Sequence, residues 1–145
     1  MPDILNDFPI KAPIGDVFRA VTSPQGLDEW WTKRSKGTPL LGSEYELWFG
    51  PEYDWRARVT KYSPPSVFEL EMVGAGADWF GTRIGFELER AGAATQVRFY
   101  HHHLGWPEAN EHYRISCHCW PMYLRILRRH LEHGESVPYE QRLDV

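Results

Sequence analysis

The chain has 145 residues, 42% hydrophobic and 25% charged, the make-up of one soluble globular domain whose core needs no disulfide or metal. A formal charge of −4, with one dense basic cluster at Arg125, Arg128, Arg129 and His130, argues against a nucleic-acid partner. No stretch approaches the roughly 20 apolar residues of a membrane span. The opening "MPDILNDFPIKAP" carries no signal pattern, and Cys117 and Cys119 sit too close for an ordinary structural disulfide, so a reducing, cytoplasmic setting is expected.

Residues 4–11 form a short mixed apolar run, the pattern of an edge strand. "DVFRAVT" (16–22) then sets Val17, Ala20 and Val21 on one helical face. Ser23-Pro24 opens a second short helix carrying Leu27, Trp30 and Trp31, with serine as cap and proline in the first turn. From residue 43 the period changes to two. Tyr45, Leu47 and Phe49 alternate with Glu44, Glu46 and Trp48. Tyr53, Trp55, Ala57 and Val59 follow, then Phe68, Leu70 and Met72, then Ile84, Phe86 and Leu88, and finally Val97, Phe99, His101 and His103. Such alternation marks antiparallel strands with one face in a core and the other, here rich in Glu and Arg, in water.

After the strands, Tyr113, Cys117, Trp120, Leu124, Leu127 and Leu131 recur at steps of three and four, one apolar stripe of a long helix. Pro121 lies inside it and predicts a kink near Cys117 to Trp120. Gly134 is a natural stop, and the polar tail 135–145 reads as loose. The order is strand, two short helices, about five antiparallel strands and one long amphipathic helix. The fold class is α+β, with a curved sheet wrapped around the last helix, and residues 1–145 form a single unit.

Several stretches in this order resemble the family of activator-of-heat-shock-ATPase homologues, within the START-like, helix-grip superfamily. They are "SPQGLDEWWT" (23–32), Gly42, "VTKYSPPSVFELEM" (59–72), "HLGW" (103–106) and "CWPMYLRILRRHLEHG" (119–134). The resemblance spans roughly residues 8–134. It implies a helix-grip fold around a hydrophobic cavity, and either binding of small apolar ligands or a co-chaperone role. It supplies no catalytic motif to carry over. Cys119 stands where the family usually has glycine, and the triplet His101-His102-His103 is not general in it.

The triplet and "CHC" at 117–119 invite a metal reading that geometry disfavours. His101 and His103 share one strand face about 7 Å apart while His102 points away, and two ligands fall short of the usual three or four. On a helix, Cys117 and Cys119 diverge by roughly 200°. Cys117 belongs instead to the core stripe. Acid/base chemistry at His101 or His103, of the cyclase or hydrolase type, lacks an inward carboxylate and would have to recruit a loop acid such as Asp78 or Glu108. The composition suits ligand binding better. Trp31, Phe49, Trp55, Phe68, Met72, Phe86 and Trp120 are expected to line a space between sheet and helix, with His101, His103 and Tyr123 as polar handles near its mouth. The expected partner is a small hydrophobic molecule, lipid-like or aromatic, without cofactor or metal. A chaperone or a homodimer partner is the second class.

Overall fold

Among the described residues, seven strands form a single antiparallel sheet, in which the first strand pairs with the last and the others follow back in turn to the second. The computed structural model describes residues 3–75, 80–102 and 111–144, with the backbone alone at 111–114 and 143–144. In chain order the elements are β1 (Ile4–Ile10), α1 (Ile14–Thr22), α2 (Pro24–Trp30), β2 (Arg34–Lys36), β3 (Glu44–Gly50), β4 (Tyr53–Ser63), β5 (Val67–Gly74), β6 (Arg83–Ala91), β7 (Ala94–His102) and α3 (Glu111–His133). A 3-10 turn at Tyr139–Asp144 follows.

Local chemistry accounts for the helical pair. The Ser23 hydroxyl accepts from the Gly26 N–H at 3.0 Å, so serine caps α2, with Pro24 opening its first turn. At Gly26 a Cβ would lie 2.6 Å from the Ala20 backbone, and its absence lets α1 and α2 meet. The Trp30 indole donates to the Ala20 carbonyl at 3.0 Å, and the Tyr45 hydroxyl donates to the Thr22 carbonyl at 2.6 Å. The first bond ties α2 to α1, and the second ties α1 to the sheet.

One sheet face is buried along the alternation read from the sequence. Phe68 on β5, Phe86 on β6 and Phe99 on β7 align across three strands, and Leu70, Ile84, His101 and Ile4 form the neighbouring row. Tyr53 departs from the expected pattern. It is exposed, because the β3–β4 register shifts between Trp48 and Gly50 and Tyr53 pairs with Gly50 at the hairpin end.

Helix α3 runs continuously through Pro121. Its buried face carries Ser116, Trp120, Leu124 and Leu127, together with Met122 and Ile126. Cys117, expected in the core, is exposed. Stepping back from Trp120 by four rather than three residues puts Ser116 on the buried face. Gly134 ends the helix with φ 68°, its N–H bonded to the His130 carbonyl at 2.9 Å.

The opposite sheet face is less open to water than its charges suggest. Glu69 and Tyr100 are both buried there. Glu69, Gly85 and Tyr100 stand side by side on β5, β6 and β7, and the Tyr100 ring lies over Gly85 to donate to Glu69 Oε2 at 2.5 Å. The irregularity at Val59/Lys61 leaves Thr60 as an extra residue, whose hydroxyl donates to Glu69 Oε1 at 2.6 Å. Lys61 and Arg83 complete the cluster at 3.7 and 3.8 Å. His102, expected to point away from His101 and His103, stacks on Tyr100 at 4.3 Å and pairs with Asp3 at 2.5 Å on this face.

Candidate ligand site

The aromatic residues singled out from the sequence do converge between the sheet and α3. Trp31, at the end of α2, packs 5.5 Å from Phe49 and 5.5 Å from Trp120 (ring centroids). Phe49 lies 5.1 Å from Trp55, and Trp120 lies 4.6 Å from Phe99 and 6.3 Å from Tyr123. Trp30 meets Phe86 edge to face at 5.9 Å. These separations are those of close-packed rings.

Burial sorts the candidates into two groups. Trp31, Phe68, Met72, Phe86, His101 and Trp120 are buried and fill the core. Phe49, Trp55 and Tyr123 are only partly buried and gather at one end of the aromatic layer. His103, Asp78 and Glu108 lie outside the described residues.

His101 sits in the interior rather than at a mouth, with 0% of its surface exposed. The Trp120 indole donates to its Nδ1 at 3.0 Å, and its Nε2 lies 3.0 Å from the Thr82 hydroxyl. An indole nitrogen can only donate, so Nδ1 carries no proton and the proton of the neutral ring is on Nε2, donated to Thr82. A ring held this way serves packing and orientation better than proton transfer.

The partly buried end is bordered by a segment expected to be loose. Residues 135–144 fold back along the domain. Arg129 clasps Glu135 through two bonds of 2.8 and 2.9 Å. Lys33 reaches Glu140 at 3.4 Å, and the Tyr139 hydroxyl donates to the Phe49 carbonyl at 3.1 Å. Arg142 is buried, with Nε donating to the Val137 carbonyl at 3.1 Å, Nη1 to Thr32 at 3.2 Å and Nη2 to Asp28 at 2.6 Å. Burial pushes the Tyr123 hydroxyl up to about 12, with the neighbouring Tyr139 and Cys119 adding to the shift and Arg142 opposing it.

Sequence reasoning missed Tyr139 and Arg142. All the acceptors that hold them are backbone carbonyls, which leave no complementary residue type to read. Two surface depressions formed by described residues lie elsewhere. One of about 170 Å³ runs between β1 and α3 beside Phe8, Leu124, Arg125 and Arg128. Another of about 310 Å³ lies over β5, β6 and β7 beside Ser66, Glu87 and Arg98. Among the described residues, no group of three or more His, Cys, Asp or Glu side chains could hold a metal ion.

A sheet gripping a long C-terminal helix is the architecture that the sequence resemblance implies, and comparison with known families agrees. The family model for Activator of Hsp90 ATPase homolog 1-like proteins matches residues 11–132. The chain belongs to that family. Among solved structures, the solution structure of the Aha1 dimer from Colwellia psychrerythraea is 30% identical, with a TM-score of 0.83, covering 94% of this chain and 100% of that one. A Staphylococcus saprophyticus protein shares the fold at 19% identity and a TM-score of 0.76, covering 94% of this chain and 96% of its own. CalU16 from Micromonospora echinospora shares it at 18% identity and 0.70, covering 98% and 83%. No curated protein gives a significant match. In this member of the Activator of Hsp90 ATPase homolog 1-like family no helix of the described residues is long and apolar enough to cross a membrane.

Proposed function

We propose that the protein binds a small hydrophobic ligand, lipid-like or aromatic, against the open end of its inner aromatic layer, without catalysing a reaction. The observation that carries this reading is the partial exposure of Phe49, Trp55 and Tyr123, contiguous with the buried Trp31 and Trp120. Half-covered aromatics with a few polar groups beside them suit an apolar guest that needs orienting. The fully buried candidates, including Phe68, Met72 and Phe86, are the wall behind the site rather than its lining. The packed state of His101 argues against the acid/base alternative.

Tryptophan fluorescence titration of untagged protein with N-phenylnaphthylamine, a neutral apolar probe, tests the reading. A saturable change is expected, weakened about ten-fold or more by Trp55→Ala. Native mass spectrometry of protein drawn from cells should show a retained small molecule. Absence of both signals refutes the proposal. The likeness to an Aha1 dimer favours a second reading, a co-chaperone-like or self-associating interaction module. Pull-down and ATPase stimulation with an Hsp90-type chaperone, together with sedimentation of the protein alone, test that reading. Failure at micromolar concentration in all three removes it.

A further inference from the structure

Among the described residues, the buried guanidinium of Arg142 has no counter-ion in contact. Only 5% of its surface is exposed, yet its three acceptors are the carbonyls of Val137, Thr32 and Asp28, all neutral. A guanidinium has five N–H groups, so two remain without an acceptor among the described residues. The described acids that act on it, Asp28 and Glu29, are engaged elsewhere. The Asp28 carboxylate accepts from Thr32 Oγ1 at 2.6 Å and Ser35 Oγ at 2.8 Å, while Glu29 accepts from Ser136 Oγ at 3.1 Å and lies 3.8 Å from His130. Burial pushes the Arg142 group below its usual value, and the nearby acids and tyrosines only partly oppose that. A desolvated cation without an ionic partner is costly, and an anion from outside would relieve that cost.

The position of this charge relative to the aromatic layer gives it a direction. Tyr139 lies 5.4 Å from the Arg142 guanidinium carbon and holds the Phe49 carbonyl. Tyr123, the polar edge of the partly buried end, is close enough for the two groups to affect each other's ionisation. An apolar surface and an unneutralised cation therefore meet at one end of the site.

Building on the proposed ligand site, we infer that Arg142 is its anion-recognising residue, and that the ligand class is an aromatic or apolar weak acid. Its ring or chain would lie against Phe49, Trp55 and Tyr123, and its acidic oxygen would take the two remaining N–H groups of Arg142. The C-terminal turn is then part of the binding site, and its docking and ligand binding support each other.

Two probes with nearly the same aromatic body separate the charge from the apolar contact: anilinonaphthalene sulfonate and neutral N-phenylnaphthylamine. The full chain should bind the sulfonate about ten- to a hundred-fold more tightly, as a charge-assisted pair would produce. That preference should fall as salt is raised. Arg142→Met should abolish that preference, bringing the two probes to equal affinity whatever the change in either alone, and Arg142→Lys should restore part of it. Circular dichroism of each variant shows whether the domain stays folded. If Arg142→Met unfolds the domain, the salt dependence in the unaltered protein and the Arg142→Lys variant decide. Equal affinity for the two probes in the unaltered protein overturns the inference and leaves the aromatic site standing, as does a preference that survives Arg142→Met. Arg142 is then only a clamp for the tail. Failure of both probes to bind overturns the ligand site itself, and this inference with it.

Discussion

Gly85→Ala should destabilise the protein through a bond that joins the two strands flanking it. An ideal Cβ on residue 85 would lie 2.1 Å from Tyr100 Cζ and 2.2 Å from its hydroxyl, so the ring must leave its place over β6. Moving a packed ring costs about 1–3 kcal/mol. Its hydroxyl then loses the 2.5 Å bond to Glu69, a bond to a charged and buried acceptor, costing about 1.5–3 kcal/mol more. Alanine returns about 0.5–1 kcal/mol through its smaller backbone entropy loss, leaving a net loss of about 2–5 kcal/mol. Tyr100→Phe alone should cost about 1.5–3 kcal/mol, because only the hydroxyl goes. If both changes act on the Glu69 bond, their costs do not add. The double variant should fall short of the sum by about 1.5 kcal/mol or more. Urea denaturation of the four proteins, with unchanged slopes, measures this directly. Additivity within about 0.5 kcal/mol, or a Gly85→Ala protein as stable as its parent, refutes the reasoning.

Three further outcomes follow from described contacts. Burial alone would raise the Glu69 carboxyl, but bonds from Thr60 and Tyr100 and the charges of Lys61 and Arg83 outweigh it and hold the group below its ordinary 4.5. Its stabilising effect is therefore complete above about pH 4.5 and fades as pH falls through the lower folded value, and Glu69→Gln should flatten that acid limb in denaturation midpoints measured across pH. Ser23→Ala removes the cap that accepts from Gly26 and should lower stability by about 0.5–2 kcal/mol, read from the shift in urea midpoint. Cys117 is exposed, whereas Cys119 is partly covered and its thiol is raised by burial, so iodoacetamide should modify Cys117 first, as peptide mass spectrometry would show.

The period of two made most of the sheet legible, because inner-face positions such as Tyr45, Leu47, Phe68, Leu70, Phe86 and Phe99 are apolar and buried, and His101 is buried with partners. The stripe Trp120, Leu124 and Leu127 placed α3 in the same way. Strand β2 escaped notice because its three residues, Arg34 to Lys36, are too short to show a period. Glu69 looked like a solvated acid because sequence does not show that Gly85 makes room for a tyrosine to cover it. Cys117 was misplaced by one residue, an error that a helical stripe of mixed three- and four-residue steps cannot correct by itself. The candidate site was legible as a set of aromatics that pack together. Its division into a packed wall and an open end depended on the neighbours each ring finds, and Tyr139 and Arg142 joined it through backbone carbonyls that no pattern reveals.

The pairing of the first strand with the last bears on how this molecule is made. Ile4 lies opposite His101 and Ile10 opposite Thr95, so β1 has no partner until almost the whole sheet has been synthesised. The helices of α1 and α2 can form early, but the inner faces of β3 to β6 wait for α3, which comes later still. Contacts this distant in sequence form slowly, and apolar surface left uncovered meanwhile is prone to stick to other chains. On the ribosome, the aromatic layer that later serves the folded protein is a hazard to the nascent one.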